Sequence, residues 1–295
     1  MNLLITGSNG FLAKQLIFFL PNYNFKTLSR TNSNFNIDLS NSVPIFNETF
    51  ELVIHAAGKA HSTPKTQEDK DTFYITNVNG TQNLLTGLLN NLPKQFVYIS
   101  SVSVYGLIQG QNITENTTLL ANDPYGKSKI DAEFVVKKWC EEHNVICTIL
   151  RLPLVVGENP PGNLGAMIRG INKHYYFNIA GGNAKKSMVL ASDIAKFILK
   201  AAQVGGTYNL TDGIHPTFNA LSILISQQFG NSFVPNMPLS IANLLAKLGD
   251  LIGNTFPINS NKLSKITSTL TFDDSKARNA FGWNPTPVLD GFKIL

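Results

Sequence analysis

The sequence predicts an α/β protein built on a doubly wound parallel sheet, with a smaller C-terminal lobe. Short apolar runs rich in β-branched residues alternate with segments of helical apolar spacing through the first half of the chain. A glycine turn, Gly7-Ser8-Asn9-Gly10, joins the first of these runs to the first helical segment. After Pro153 the alternation weakens, and a Pro/Gly/Asn loop from Gly157 to Gly165 opens a less regular second half. Strands covered by helices on both faces fit this pattern, and such sheets take ligands at the carboxyl ends of their strands.

The elements follow in order. "NLLIT" is the first strand and "FLAKQLIFFL" the helix behind it. "FKTLS" is a second strand followed by a polar turn. "LVIHAA" is a third, followed by a polar loop and the helix "ITNVNGTQNLLTGLLNN". "QFVYISS" then leads through a loop to the helix "PYGKSKIDAEFVVKKWCEEH" and the strand "VICTILRLP". The boundary is placed at residue 155, with 156–295 forming mainly a second lobe, some of whose segments return to extend the sheet. Neither an internal repeat nor a low-complexity linker is present.

Composition excludes several classes. The 295 residues allow one large core, or a nucleotide-binding domain with a companion. Charged residues make up 15%, below the roughly 25% of ordinary domains. The net charge of +5 is spread over scattered lysines, without the basic block of a nucleic-acid binder. Cys140 and Cys147 show neither CxxC spacing nor paired histidines, which reads as two thiols in a reducing compartment. No basic leader precedes the first strand, so a cytoplasmic protein is expected. The late apolar stretch "LSIANLLAKLGDLIG" carries Lys247 and Asp250 at helical spacing, and reads as an amphipathic helix rather than a membrane span.

Two stretches carry chemistry. In "TGSNGFLA", Gly7 permits a tight turn, Gly10 lets the backbone approach a pyrophosphate, and Ala13 lets the helix pack close to the strand. The phosphates would sit on free amides at the positive end of the helix. Downstream, Ser100 and Ser101 end a strand, and Tyr125 and Lys129 lie four apart on one helix face. A phenol near pKa 10 is a poor base, but a neighbouring ammonium favours the phenolate, and a serine hydroxyl can hold the same substrate oxygen. Taken alone, Tyr125 and Lys129 are an ordinary exposed pair; behind a glycine turn and strand-end serines they describe a proton-transfer site for an alcohol or carbonyl.

With these residues the chain resembles the extended short-chain dehydrogenase/reductases, and within them the NAD-dependent epimerase/dehydratase enzymes of nucleotide sugars. The resemblance spans "TGSNGFLA", "VIHAAGKAH", "TNVNGTQNLL", "ISSVSVYG", "DPYGKSK", "RLPLVVG", "MVLASDIAK" and "FDDSKARNAFGWNPT". It implies a Rossmann-type NAD(P)-binding domain over residues 1–155 and a nucleotide-sugar lobe over 156–295. Tyr125 becomes the acid/base, Lys129 its partner and a ribose ligand, and Ser101 the holder of the reacting hydroxyl, with Ser103 second. The resemblance assigns Gly7, Asn9, Gly10, Phe11, Leu12, Ala56, Ala57, Gly58, Ser100 and Pro153 to the cofactor, with Asp38 and Leu39 at the adenine. Ser29 and Arg30 stand where NAD-preferring enzymes carry an acid, which favours NADP(H) slightly over NAD(H), although Arg30 could also stack on the adenine or face water. Asn77 orders the site or bonds a neighbouring loop.

The same resemblance places a diphosphate-linked sugar against Asn163, Leu164 and Lys186. Lys186 stands where an arginine normally clamps the pyrophosphate, and Leu154 where several epimerases carry Asn. It implies an enzyme of surface-polysaccharide synthesis acting at C4 of a UDP-hexose, either a UDP-N-acetylhexosamine 4-epimerase or a 4-keto-6-deoxy-hexosamine reductase. Val102 and Ser103 stand where 4,6-dehydratases carry Asp and Glu, which speaks against elimination. His55 and His61 are read as structural, and no metal is implied. A homodimer through the two long helices is expected by analogy. The alternative from another class is a non-catalytic dinucleotide-binding subunit, redox-sensing or structural, although both Tyr125 and Lys129 are retained.

Overall fold

In the computed structural model, which describes residues 1–60, 64–231, 233–253 and 258–294, seven parallel strands form the central sheet. They are β1 (Asn2–Thr6), β2 (Asn24–Ser29), β3 (Phe35–Asn36), β4 (Leu52–His55), β5 (Gln95–Ser101), β7 (Ile146–Leu152) and β11 (Gly206–Asn209), ordered β11-β7-β5-β4-β1-β2-β3. Among the described residues three two-stranded ladders complete the strands: β6 (Gly110–Ile113) with β13 (Leu270–Phe272), β8 (Leu154–Val156) with β10 (Met188–Leu190), and β9 (Asn178–Ile179) with β12 (Asn236–Met237). The helices are α1 (Phe11–Phe19), α2 (Gln67–Tyr74), α3 (Gly80–Gly87), α4 (Pro124–Glu142), α5 (Gly162–Asn172) and α6 (Ala191–Val204), then α7 (Phe218–Gln228), α8 (Leu239–Ile252), α9 (Ser260–Thr267), α10 (Ser275–Phe281) and α11 (Val288–Gly291).

Strand order reverses at β1, from which the chain winds outward to β2 and β3 on one side and to β4, β5, β7 and β11 on the other. The loops leaving β1 and β4 therefore diverge, and a crevice opens between them. Burial on both faces explains the continuous apolar strands. Leu3, Ile5, Leu52, Ile54 and Val97 pack in a cluster with α1 and α6, and Leu4, Val53, Phe96 and Tyr98 in another with α3 and α4. Beyond residue 155, helix α6 and strand β11 join this sheet, while α5, α7 and α11 enclose a separate core around Val156, Leu164, Met188 and Leu221.

The structure revises three expectations about the elements. Helical structure before β5 begins at Gln67, eight residues ahead of the predicted start, because Thr66 and Asp69 form a reciprocal capping box. It passes through a π-helical turn at Ile75–Asn79 and ends at Gly87. The Pro/Gly/Asn loop is shorter than read, since α5 starts at Gly162. Helix α8 is amphipathic as expected, but its large apolar face points outward, and only Ala242, Ala246 and Gly249 are buried.

Helix α4 is held to the sheet by a buried ion pair. Arg151 on β7 donates from Nε and Nη2 to the two carboxylate oxygens of Glu133, at 3.0 and 2.7 Å. Their side chains are 3% and 2% exposed. Ser100 Oγ donates to the same carboxylate at 2.6 Å, and Arg151 Nη1 reaches Tyr105 Oη at 3.1 Å. Removing one partner leaves a buried charge without compensation, so Glu133→Ala is expected to lower unfolding free energy by about 3–5 kcal/mol in a denaturant titration.

Candidate active site

The crevice at the reversal point is a cleft of about 780 Å³, within the ~300–1,000 Å³ usual for small-molecule sites. Gly7, Asn9, Gly10, Ser29, Arg30, Asp38, Leu39 and Ala56 to Gly58 all line it. Gly7 has φ +67°, and a Cβ there would lie 2.7 Å from the Ala57 backbone, so no other residue fits between the loops after β1 and β4. The first-turn amides of α1, beginning at Phe11 and Leu12, have no intrahelical acceptors. The turn thus offers backbone donors and a positive helix end to an anionic group, the arrangement a dinucleotide pyrophosphate requires.

The adenine-side residues behave less uniformly than the sequence suggests. Asn9 Nδ2 donates to Ser29 Oγ at 2.8 Å and to Thr31 O at 2.6 Å. Ser29 Oγ in turn donates to Thr31 O at 2.6 Å. Both side chains are therefore committed to shaping the loop after β2, and the Ser29 hydroxyl proton is not free for a phosphate. Arg30 stands exposed at the cleft lip without an acidic partner among the described residues. Asp38 accepts from Ser40 through its backbone amide and hydroxyl, at 3.0 and 2.6 Å.

Strand β5 and helix α4 bring the reactive groups together. Asp123 caps α4 by accepting from the Gly126 amide at 3.1 Å, and Pro124 follows at the first turn, which sets Tyr125 at the helix start. Burial pushes the Tyr125 phenol above its ordinary value; a hydrogen bond with Ser101 pulls it back, and the Asp123 carboxylate adds to the rise. Ser101 Oγ donates to Ser103 Oγ at 3.1 Å. Lys129 Nζ donates to Tyr98 Oη at 3.0 Å and to Ile99 O at 2.8 Å. Burial brings its ammonium down to about 8, opposed by the Glu133 carboxylate. The expected direct lowering of Tyr125 by Lys129 is thus not what sets the phenol here. Desolvation dominates both groups, and Lys129 is seated on Tyr98. A Cβ on Gly58 would lie 3.5 Å from Lys129 Nζ, so the lysine also borders the cleft.

A buried polar network fixes this geometry. Asn77, in the π-helical turn, accepts from the Lys59 amide at 2.6 Å and donates to Lys59 O at 3.1 Å and Ser128 Oγ at 2.9 Å. Ser128 Oγ donates to the Tyr125 carbonyl at 2.8 Å. Behind it, Thr81 Oγ1 donates to Asn77 O, so it accepts from His55 Nε2 at 2.9 Å. Thr6 Oγ1 then donates to His55 Nδ1 at 2.6 Å while accepting from the Ala57 amide. Burial, with the Lys129 charge behind it, takes His55 down to about 3, so the ring is a neutral spacer. Among the described residues no cluster suits a metal ion, and His61 lies outside them.

Residues 3–211 match the model of the NAD dependent epimerase/dehydratase family. The chain belongs to that family. It is 26% identical to the N-acetyl-alpha-D-glucosaminyl-diphospho-ditrans,octacis-undecaprenol 4-epimerase of Escherichia coli O157:H7, over 95% of this chain and 89% of that one. It is also 26% identical to UDP-glucose 4-epimerase of Vibrio cholerae, over 99% and 93%. Among solved structures, UDP-glucose 4-epimerase of Thermotoga maritima with UDP-glucose gives a TM-score of 0.76 at 20% identity, covering 99% of this chain and 96% of that one. RMD of Pseudomonas aeruginosa complexed with NADPH gives 0.73 at 20% identity, covering 98% and 94%. At these identities the structural likeness establishes the shared α/β fold.

Against this family's pattern, several assigned residues take other positions. The Ser100 side chain is engaged by Glu133 rather than turned to the cleft, and Leu164 is 2% exposed in the lobe core, leaving only its backbone for a ligand. Pro153 is half-buried between β7 and β8 and is not part of the cleft lining around Gly7. Asn163 is exposed on the first turn of α5. Lys186 is half-buried, and burial brings its ammonium down to about 8, with no acid paired to it among the described residues. Sequence reading missed Tyr98, Ser128 and Thr81; the alternation of β5 marked Tyr98 only as a core aromatic, and nothing in spacing signals the hydroxyl contacts. Between about pH 8 and 10.5 the unfolded chain holds a proton on Lys129 that the folded chain has released, so stability rises with pH across that window. Lys129→Met is expected to flatten this rise in urea midpoints measured against pH, leaving the part due to Lys186.

Proposed function

We propose that this protein is a nicotinamide-dependent enzyme acting at C4 of a diphosphate-linked hexose, as a UDP-N-acetylhexosamine 4-epimerase of surface-polysaccharide synthesis. The observation that carries the reading is that Tyr125 is hydrogen-bonded to Ser101 while Lys129, one turn along α4, borders the cleft at Gly58. A cofactor bound along Gly7, Gly10, Asp38 and Ala56 to Gly58 supplies the hydride acceptor and donor. Tyr125 takes the C4 hydroxyl proton and returns it, while Ser101 holds that oxygen. Lys129 spends two donors on Tyr98 and Ile99, and its third is available to a ribose hydroxyl near Gly58. Lys186, without an acid partner among the described residues, is suited to the sugar diphosphate, with Asn163 exposed in the same lobe. The names of the Escherichia coli and Vibrio cholerae relatives, both 4-epimerases, support the reaction type.

Arg30 favours a second reading, a 4-ketoreductase using NADPH, because a guanidinium at the cleft lip suits a ribose 2′-phosphate. Retention of both Tyr125 and Lys129 argues against a non-catalytic subunit. A homodimer and a cytoplasmic setting complete the proposal.

The two reactions separate in one assay on nucleotide-stripped protein. With catalytic NAD and UDP-N-acetylglucosamine, interconversion of gluco and galacto sugars without net loss of reduced cofactor marks the epimerase. Stoichiometric loss of NADPH absorbance with a UDP-4-keto-6-deoxy-hexosamine marks the reductase. Tyr125→Phe is expected to cut kcat by at least about 100-fold while leaving cofactor Kd within about twofold; an unchanged rate removes the mechanism. Arg30→Ala is expected to weaken NADPH by roughly tenfold and NADH little, read by fluorescence titration; equal effects assign Arg30 to the adenine side.

A further inference from the structure

Helix α8 inverts the ordinary division between buried and exposed residues. Its inward stripe is Ala242, Ala246 and Gly249, which with Leu263 of α9, Ile179 and Met237 forms only a thin core. Most of its large side chains face away, Leu245 being half-buried. Ile241, Leu244, Leu248, Leu251 and Ile252 are 50, 62, 43, 84 and 57% exposed. Their spacing puts them on one face, a ridge about 16 Å long. Burying three small residues while exposing six large aliphatic ones, Leu239 included, offers little to this chain's own folding. A contiguous ridge of this kind marks a docking surface.

The charges around the ridge indicate what it meets. Lys247 lies on the polar flank of α8, and Lys262 and Lys265 are exposed on α9, which packs beside it. Asp250, the acid of α8, is engaged by the amide and hydroxyl of Ser260. An aliphatic face bordered by lysines is the pattern of a helix lying in the plane of an anionic bilayer surface. In a two-fold contact with a second copy the same patch would face itself, bringing the lysines of both copies together.

The ridge is also continuous with the candidate diphosphate site. Strand β9 leads through the Ala180–Gly182 turn to Lys185 and Lys186, while Ile179 of β9 packs against α8. Helix α9 leads to Leu270, which bridges Lys186 and donates its amide to Lys185 O at 3.0 Å. The α8–α9 hairpin therefore stands on both segments that hold the lysine loop.

We propose that the outer face of α8 docks on the surface of an anionic lipid bilayer. Docking brings the Lys185–Lys186 loop to the membrane, where a sugar diphosphate carried on a lipid is presented; this last consequence rests on the reaction proposed above. The test is flotation of the full chain with vesicles of phosphatidylethanolamine and phosphatidylglycerol, against vesicles of phosphatidylcholine. The wild type is expected to float with the anionic vesicles, less at high salt. The triple variant Leu244→Ser/Leu248→Ser/Leu251→Ser is expected to bind roughly tenfold less, with its melting temperature and turnover of soluble UDP-sugar unchanged. Lys247→Glu/Lys265→Glu is expected to remove the preference for anionic vesicles. The proposal is overturned if the wild type does not float, if the triple variant floats equally, or if the variant instead converts a dimer to a monomer in sedimentation while the wild type ignores vesicles. Flotation is read without turnover, so it stands or falls apart from the proposed reaction.

Discussion

A line of buried hydrogen bonds from Thr6 through His55, Thr81 and Asn77 to Ser128 holds the two halves of the candidate site in register. It starts at the carboxyl end of β1, where the glycine turn begins, and ends at the carbonyl of Tyr125. The π-helical turn at Ile75–Asn79 accommodates this reach, because the wider turn carries Asn77 between the Gly58–Lys59 loop and α4. Each member has its donor and acceptor matched, which a buried polar chain needs in order to rigidify rather than destabilise. Neutral His55 is essential to that match: a second ring proton would leave Thr6 and the imidazole donating toward each other.

The electrostatics of α4 follow from its anchoring. Glu133 and Arg151 draw the helix onto β5 and β7, and that packing buries Lys129 and half-buries Tyr125 in the same step. Desolvation then lowers the ammonium and raises the phenol, moving both away from the charged forms. Tyr98 and Ile99 compensate Lys129 with acceptors, and Glu133 one turn away compensates it with charge. The ion pair thus serves both as a staple and as the counter-charge that keeps a buried lysine protonated near neutral pH.

The C-terminal lobe is built on a different economy. One compact core lies under α5, α7 and α11, whereas α8 turns only Ala242 and Ala246 to a smaller cluster with Leu263 of α9, Ile179 and Met237. Small residues let α8 approach closely without burying its aliphatic side chains. The fold thereby leaves an apolar surface beside the loop carrying Lys185 and Lys186.

The alternation of apolar runs and helical segments determined the parallel sheet, since strands buried on both faces must be apolar at consecutive positions. The glycine turn was legible because a strand running straight into a helix needs a tight turn there; Ser101 and the Tyr125–Lys129 pair were legible only as positions, at a strand end and on one helix face, and their expected roles came from the family resemblance. The extent of helix before β5 was less so, being set by a capping box in a segment that composition marks as a polar loop. Only the tertiary structure decided what Lys129, Ser29, Ser100, Leu164 and α8 do. Tyr98 is 31 positions from Lys129, Glu133 is 33 from Ser100, and Asn9 is 20 from Ser29. Such partners meet through the winding of the sheet, and a hydroxyl or ammonium takes its chemistry from the partner it meets. For α8 the periodicity determined that an apolar face exists, but which face turns inward depends on the shape of the surface beneath it.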